Sequence, residues 1–246
     1  MEAFYREKYT VEQIHLDRFG RLKPSALLRF AQEAAGGHCN SLDLDWETLA
    51  KKGLFWAVIR HRVQVQRLPS AGETITVETW PMPTTRSAFP RATVAYDEKG
   101  NEVFRTVSLW VLMDMNSRGM VLPGKSGVEL DGVLRGNELA LPSSILPKSL
   151  EETVVRRVGY TELDRNGHMN NTRYMDWVDD LLPSGFHGEH PVREFTVCYL
   201  SEAREGQQIQ LNWQLVEAGC LQVDGRRERT DVPGEQERVF AAQVRY

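Results

Sequence analysis

With 246 residues, the chain is long enough for one large domain or for two of about 100–120 residues, either able to bury a core. A composition of 41% apolar and 26% charged residues with a net charge of −4 argues against a general nucleic-acid binder. No apolar run approaches the roughly 18–20 residues that a membrane-spanning helix needs.

The charged start MEAFYREKYTVEQI lacks the apolar segment of a secretory signal, so a cytoplasmic setting is expected. Tyr9 to Leu16 has a strand-like pattern. Asp17-Arg-Phe-Gly-Arg21 follows, then Pro24-Ser25 and an apolar helical run from Ala26 to Ala35, which Gly36-Gly37 can end. Asp45 can cap a second short helix, Trp46 to Lys52, with Gly53 closing it. Alternating residues then predict antiparallel strands at Trp56–Gln66, Thr74–Trp80, Ala92–Tyr96 and Val103–Met113. Asp97-Glu-Lys-Gly100 is a hairpin connection. Residues 118–152, rich in Gly, Pro and Ser, have the character of an inter-domain linker.

The pattern then repeats. Val155 to Leu163 precedes Asp164-Arg-Asn-Gly-His168, and a helical run from Arg173 to Leu182 stops at Pro183. Val63-Gln-Val65, Gly72 and Thr74–Val77 are matched by Val197-Cys-Tyr199, Gly206 and Gln208–Leu211, and Val103-Phe104 by Val239-Phe240. The expected fold is α+β: two antiparallel sheets, each wrapped around a long helix, in an N-terminal domain (1–117) and a C-terminal domain (153–246).

The halves differ in their polar residues. Phe19 stands where Asn166 stands, Arg21 where His168 stands, and Leu68 where Glu202 stands, so the chemistry is expected in the second half. If the segment is extended, Asp164, Asn166 and His168 alternate onto one face, just ahead of a helix whose free amides suit an oxyanion. The competing account is a polar turn ahead of a capped helix.

Asp164-Arg-Asn-Gly-His-Met-Asn-Asn171, Tyr199-Leu-Ser-Glu-Ala203 and the Trp110-Val-Leu-Met-Asp114 strand together resemble the acyl-acyl-carrier-protein thioesterase family of plants and bacteria, over nearly the whole chain. That resemblance implies a double hot-dog fold and hydrolysis of fatty acyl thioesters on acyl carrier protein. It also implies a catalytic network of Asp164, Asn166, His168 and Glu202. Family members often carry Cys after that Glu; Ala203 stands here, which removes a cysteine mechanism at this position. The first half then becomes the specificity domain, with Leu27, Phe30, Ala31, Trp56, Val58 and Trp110 lining an acyl tunnel or simply packing the core. Arg156, Arg157, Arg165 and Arg173 are candidate contacts for an acidic carrier. A coenzyme A thioesterase and a non-catalytic acyl-binding module are the alternatives, and homodimer formation is left open.

Other patterns carry less. Gly119–Ser126 spells a phosphate loop, but Pro123 lacks an amide and Gly127 disfavours the helix such a loop needs. His187-Gly-Glu-His190 is expected to be a solvated loop, Asn170-Asn-Thr172 a glycosylation pattern irrelevant to a cytosolic chain, and Cys39, Cys198 and Cys220 free thiols. No metal or cofactor is expected.

Overall fold

The computed structural model describes residues 4–216, 219–229, 231–232 and 234–246, in two compact units that divide between Pro142 and Ser143. The first contains strand β1 (Tyr5–Thr10), helices α1 (Pro24–Ser41) and α2 (Trp46–Lys51), strands β2 (Leu54–Val65), β3 (Thr74–Pro81), β4 (Phe89–Tyr96), β5 (Glu102–Asp114) and β6 (Met120–Val121), and the single turn α3 (Pro123–Ser126). The second contains β7 (Glu152–Arg157), α4 (Arg173–Asp179), α5 (Ser184–Glu189), β8 (Glu194–Tyr199), β9 (Gln208–Val216), β10 (Cys220–Glu228) and β11 (Gln236–Arg245).

The duplication extends to topology. The first unit orders its strands β1-β3-β4-β5-β2, with β6 added beside β5; the second orders them β7-β9-β10-β11-β8, every pairing antiparallel. Position for position these are the same order. Both opening strands end sooner than their apolar pattern suggests, at Thr10 and Arg157, because each chain turns into a short 3-10 segment, Gln13–His15 and Tyr160–Glu162.

The central helices differ. Gly36 and Gly37 do not end α1, which runs on to Ser41. A Cβ at Gly37 would lie 2.6 Å from the Tyr5 hydroxyl, so this glycine admits a neighbouring strand's ring, and the continued helix buries His38. Leu27, Leu28 and Phe30 are buried on α1, each contributing about 1.5–3 kcal/mol by leaving water. Arg29 and Glu33 form the exposed i,i+4 pair on its outer side. The expected long helix of the second half is shorter: α4 ends at Asp179 and the chain continues through turns at Leu181 and Leu182 into α5. α2 forms where its cap predicts, with Asp45 accepting from Glu47 N and Thr48 N.

Residues 118–142 belong to the first unit by contact. Val128 joins the Leu44, Leu49 and Phe89 core, and Val133 N donates to Pro81 O. The phosphate-loop look-alike is β6 and one helical turn ended by Gly127, with no helix starting at Lys125.

His61, on β2, is 2% exposed, and burial alone pushes its pKa down to about 3. The unfolded chain takes up this proton near pH 6.5 and the folded one near pH 3, so the unfolded state binds more protons between those values. Stability therefore falls as pH drops through that window. Replacing His61 by leucine is expected to flatten the acid side of the stability curve by on the order of 3 kcal/mol at pH 4, read from urea unfolding. A curve as steep as that of the wild type would refute the assignment.

Candidate active site

Asp164 to His168 is not an extended segment. It is a closed turn: Asp164 N donates to His168 O (2.7 Å) and Gly167 N to Asp164 O (3.0 Å), and Asp164 Oδ1 accepts from Asn166 N (2.8 Å) and His168 N (3.2 Å). Gly167 sits at φ 76°, a conformation that a side chain would strain. The first unit builds the same turn from Asp17, whose Oδ1 accepts from Phe19 N (2.8 Å) and Arg21 N (2.9 Å), with Gly20 at φ 75°. Each turn is pinned to a distant loop by one backbone bond, Leu22 N to Pro69 O and Met169 N to Ala203 O, both 2.8 Å. The local turn is thus a property of both halves, and its side chains decide what it does.

In the first unit Arg21 folds back onto Asp17 (3.0 Å) and lies 4.8 Å over the Phe19 ring. In the second, His168 Nε2 stands 3.2 Å from Glu202 Oε2; the imidazole is largely buried and the carboxylate half-exposed. Asn166 is exposed on the turn. The structure therefore brings His168 and Glu202 together directly, while Asp164 acts on the backbone that carries Asn166 and His168.

The helix amides expected to face this site are partly occupied. Thr172 N donates to Asn170 Oδ1 and Arg173 N to Asn170 O, both 2.9 Å. Beneath the site, Tyr174 packs against Tyr199 and Phe240, and the Tyr199 hydroxyl donates to Asn171 O (2.9 Å). Burial raises the pKa of both phenols, which keeps them neutral.

Two residues that sequence reasoning missed hold this arrangement. Arg227, on β10, donates to Glu202 O (2.5 Å), Gln207 Oε1 (2.6 Å) and Ser201 Oγ (2.9 Å) and pairs with Glu237 (2.8 Å). Glu162 accepts from Gly159 N (2.8 Å) and Trp177 Nε1 (2.6 Å), tying the turn's approach to α4. Neither belongs to a recognisable spacing. Of the expected carrier contacts, Arg156 pairs with Asp180 (2.6 Å) and Arg173 with Asp176 (3.1 Å), Arg157 lies near Gly206, and Arg165 is exposed. His187 and His190 each place a ring nitrogen on a backbone carbonyl.

The first unit contains a cavity of about 310 Å³. Trp56 and Trp110 line it, the former donating to Leu44 O (3.1 Å) and meeting Phe89 edge-on, the latter donating to Ser108 Oγ (2.8 Å). Leu27, Phe30, Ala31 and Val58 are not on its wall. The first three are buried in α1, where Phe30 packs against Tyr9 and His15, and Val58 lies at the β2 bulge.

Two family models match the chain, "Acyl-ACP thioesterase N-terminal domain" over residues 2–122 and "Acyl-ACP thioesterase C-terminal domain" over residues 148–237. The chain belongs to the acyl-ACP thioesterase family. It is similar to a palmitoyl-acyl carrier protein thioesterase of Gossypium hirsutum, 29% identical over 192 residues that cover 72% of this chain and 46% of that protein. It is also similar to a dodecanoyl-[acyl-carrier-protein] hydrolase of Cinnamomum camphora, 27% identical over 72% of this chain and 50% of that protein. The chain spans about half the length of these curated relatives. Its fold is that of an acyl-ACP thioesterase from Bacteroides thetaiotaomicron (TM-score 0.88, 23% identity, 99% of this chain and 97% of that one). The 12:0-ACP thioesterase of Umbellularia californica is a second match (TM-score 0.80, 21% identity, 100% and 97%).

Proposed function

We propose that the chain hydrolyses fatty acyl-acyl carrier protein to free fatty acid and carrier protein, in a double hot-dog arrangement whose second unit is catalytic and whose first selects the acyl chain. The observation that carries this is the His168–Glu202 pair at 3.2 Å, built on a turn whose twin in the first unit holds Arg21 and, at the position of Glu202, Leu68. Nothing about folding the turn requires that pair, because the first unit folds the same turn without it.

In the proposed reaction, Glu202 accepts a proton from water as the water oxygen bonds to the thioester carbonyl carbon. Asn166 donates to the oxyanion. As the tetrahedral centre collapses, the C–S bond breaks and His168 gives its Nε2 proton to the thiolate. Glu202, in hydrogen-bond reach, returns a proton to His168 and closes the cycle. The first unit, whose Trp56 and Trp110 wall a cavity, supplies the selectivity for acyl chains.

Free-thiol release from acyl-carrier-protein and acyl-coenzyme A thioesters of graded length tests this. Turnover favouring the carrier donors supports it, whereas equal or better turnover of coenzyme A donors sinks the carrier assignment. No turnover with any donor overturns the enzyme.

Arg227 acts in this scheme by holding the backbone of Glu202, not by touching substrate. Arg227→Met is expected to lower kcat by about 10–100-fold with little change in KM, since small displacements of a catalytic group are costly. Arg227→Lys should recover part of it. A rise in KM at unchanged kcat would contradict a positioning role.

A further inference from the structure

The cavity of the first unit is not uniformly apolar. Its exposed rim includes Gly36, Asn40 and Trp46, and its buried wall includes Pro81, Phe89 and Arg91. Arg91, on β4, is 5% exposed. Its Nη1 donates to His38 Nδ1 (3.0 Å) and Thr79 Oγ1 (3.3 Å), and its guanidinium lies beside the Cys39 thiol. All of these partners are neutral acceptors. A guanidinium has five donors, and burying its charge is expensive where, as among the described residues here, no carboxylate pairs with it.

Gln32, from α1, lines the same cavity, and its buried Oε1 has no hydrogen-bond partner among the described residues. One wall therefore offers N–H donors and another a lone acceptor, in a space otherwise built from tryptophan, phenylalanine and proline. A saturated acyl chain satisfies neither. A carboxylate would suit Arg91 but would meet the Gln32 oxygen and Asp45, which also lines the cavity. A hydroxyl suits both sides, since its oxygen accepts and its proton donates.

We propose that this cavity takes a hydroxylated acyl chain, with the hydroxyl accepting from Arg91 and donating to Gln32 Oε1. The substrate class rests on the thioesterase proposal, whereas binding of a hydroxylated chain does not. Cys39 has no nucleophilic part in it, because burial raises its thiol pKa above the usual range.

The experiment titrates the full chain with N-methyl amides of ten- to twelve-carbon acids, neutral and not hydrolysable as thioesters. The series comprises the unsubstituted amide, isomers with the hydroxyl moved along the chain, and a terminal carboxylate, read by fluorescence of the cavity tryptophans. A site built to hydrogen-bond a hydroxyl discriminates strongly against its absence, so at least one hydroxy isomer is expected to bind about tenfold or more tighter than the unsubstituted amide. Gln32→Leu and Arg91→Met should each bring that ratio near one. Gln32→Leu, on a half-buried helical position, keeps the test valid should Arg91→Met fail to fold. No hydroxyl preference, a preference that survives Gln32→Leu, or tighter binding of the carboxylate would each overturn the proposal. Hydroxyl-selective binding without turnover of any thioester would overturn the enzymatic proposal alone, and turnover without selectivity this one alone.

Discussion

Glu202→Gln and His168→Ala are each expected to lower kcat for acyl-carrier-protein thioesters by about 10²–10⁴-fold, the range by which a positioned acid or base accelerates a reaction. The double variant should be little worse than the slower single one, because the two residues 3.2 Å apart act as a unit. Thermal unfolding should stay close to that of the wild type. The Glu202 carboxylate is half-exposed, and the loop that carries it is held through its backbone carbonyl by Arg227 and through Ala203 O by Met169 N. Steady-state kinetics beside a melting curve checks both parts. Unchanged kcat in either variant would remove that residue from the mechanism.

Asp164→Ala is expected to cost about 10²-fold in kcat, through loss of the two bonds that fix Asn166 N and His168 N. Its stability cost should be only about 1 kcal/mol, as for other side-chain acceptors on local backbone amides. The internal control is Asp17→Ala. That change opens the same turn and breaks the pair with Arg21, and is expected to cost comparable stability while leaving kcat near wild type, because no reacting group sits on that turn. Equal losses of activity from both substitutions would mean that the turn matters for folding alone. The comparison needs no outside reference, since one molecule carries both copies of the turn.

Much of this architecture is visible in the residues, and for local reasons. The α2 cap at Asp45, the hairpin closed by Asp97 and Gly100, and the strand alternation are fixed within a few residues of chain, so pattern reading finds them. The duplication is equally plain, because corresponding positions keep constant spacing within each segment. The half proposed to be catalytic stands out by residue type alone: Arg21 and Leu68 against His168 and Glu202.

Elsewhere the residues are less decisive. Gly36-Gly37 has the look of a helix end because glycine favours ends, yet close approach of Tyr5 places it inside α1. Asp164, Asn166 and His168 fit either an extended segment or a polar turn, and Asp164 decides for the turn by capturing two amides. The second half has apolar residues through Leu182, yet α4 ends at Asp179. Gly37 and Asp164 thus answer to a particular contact or hydrogen bond that residue spacing does not show.

The repeat, the antiparallel strands and the half that holds the polar set are legible in the residues, since these depend on residue type and short-range spacing. That His168 meets Glu202, that Arg227 holds the Glu202 carbonyl, and that Arg91 and Gln32 line one cavity follow from tertiary packing alone. Those partners come from strands and helices far apart in the chain. Their meeting depends on sheet order and register, which sum many small burial energies over the whole unit and leave no signature at any single residue.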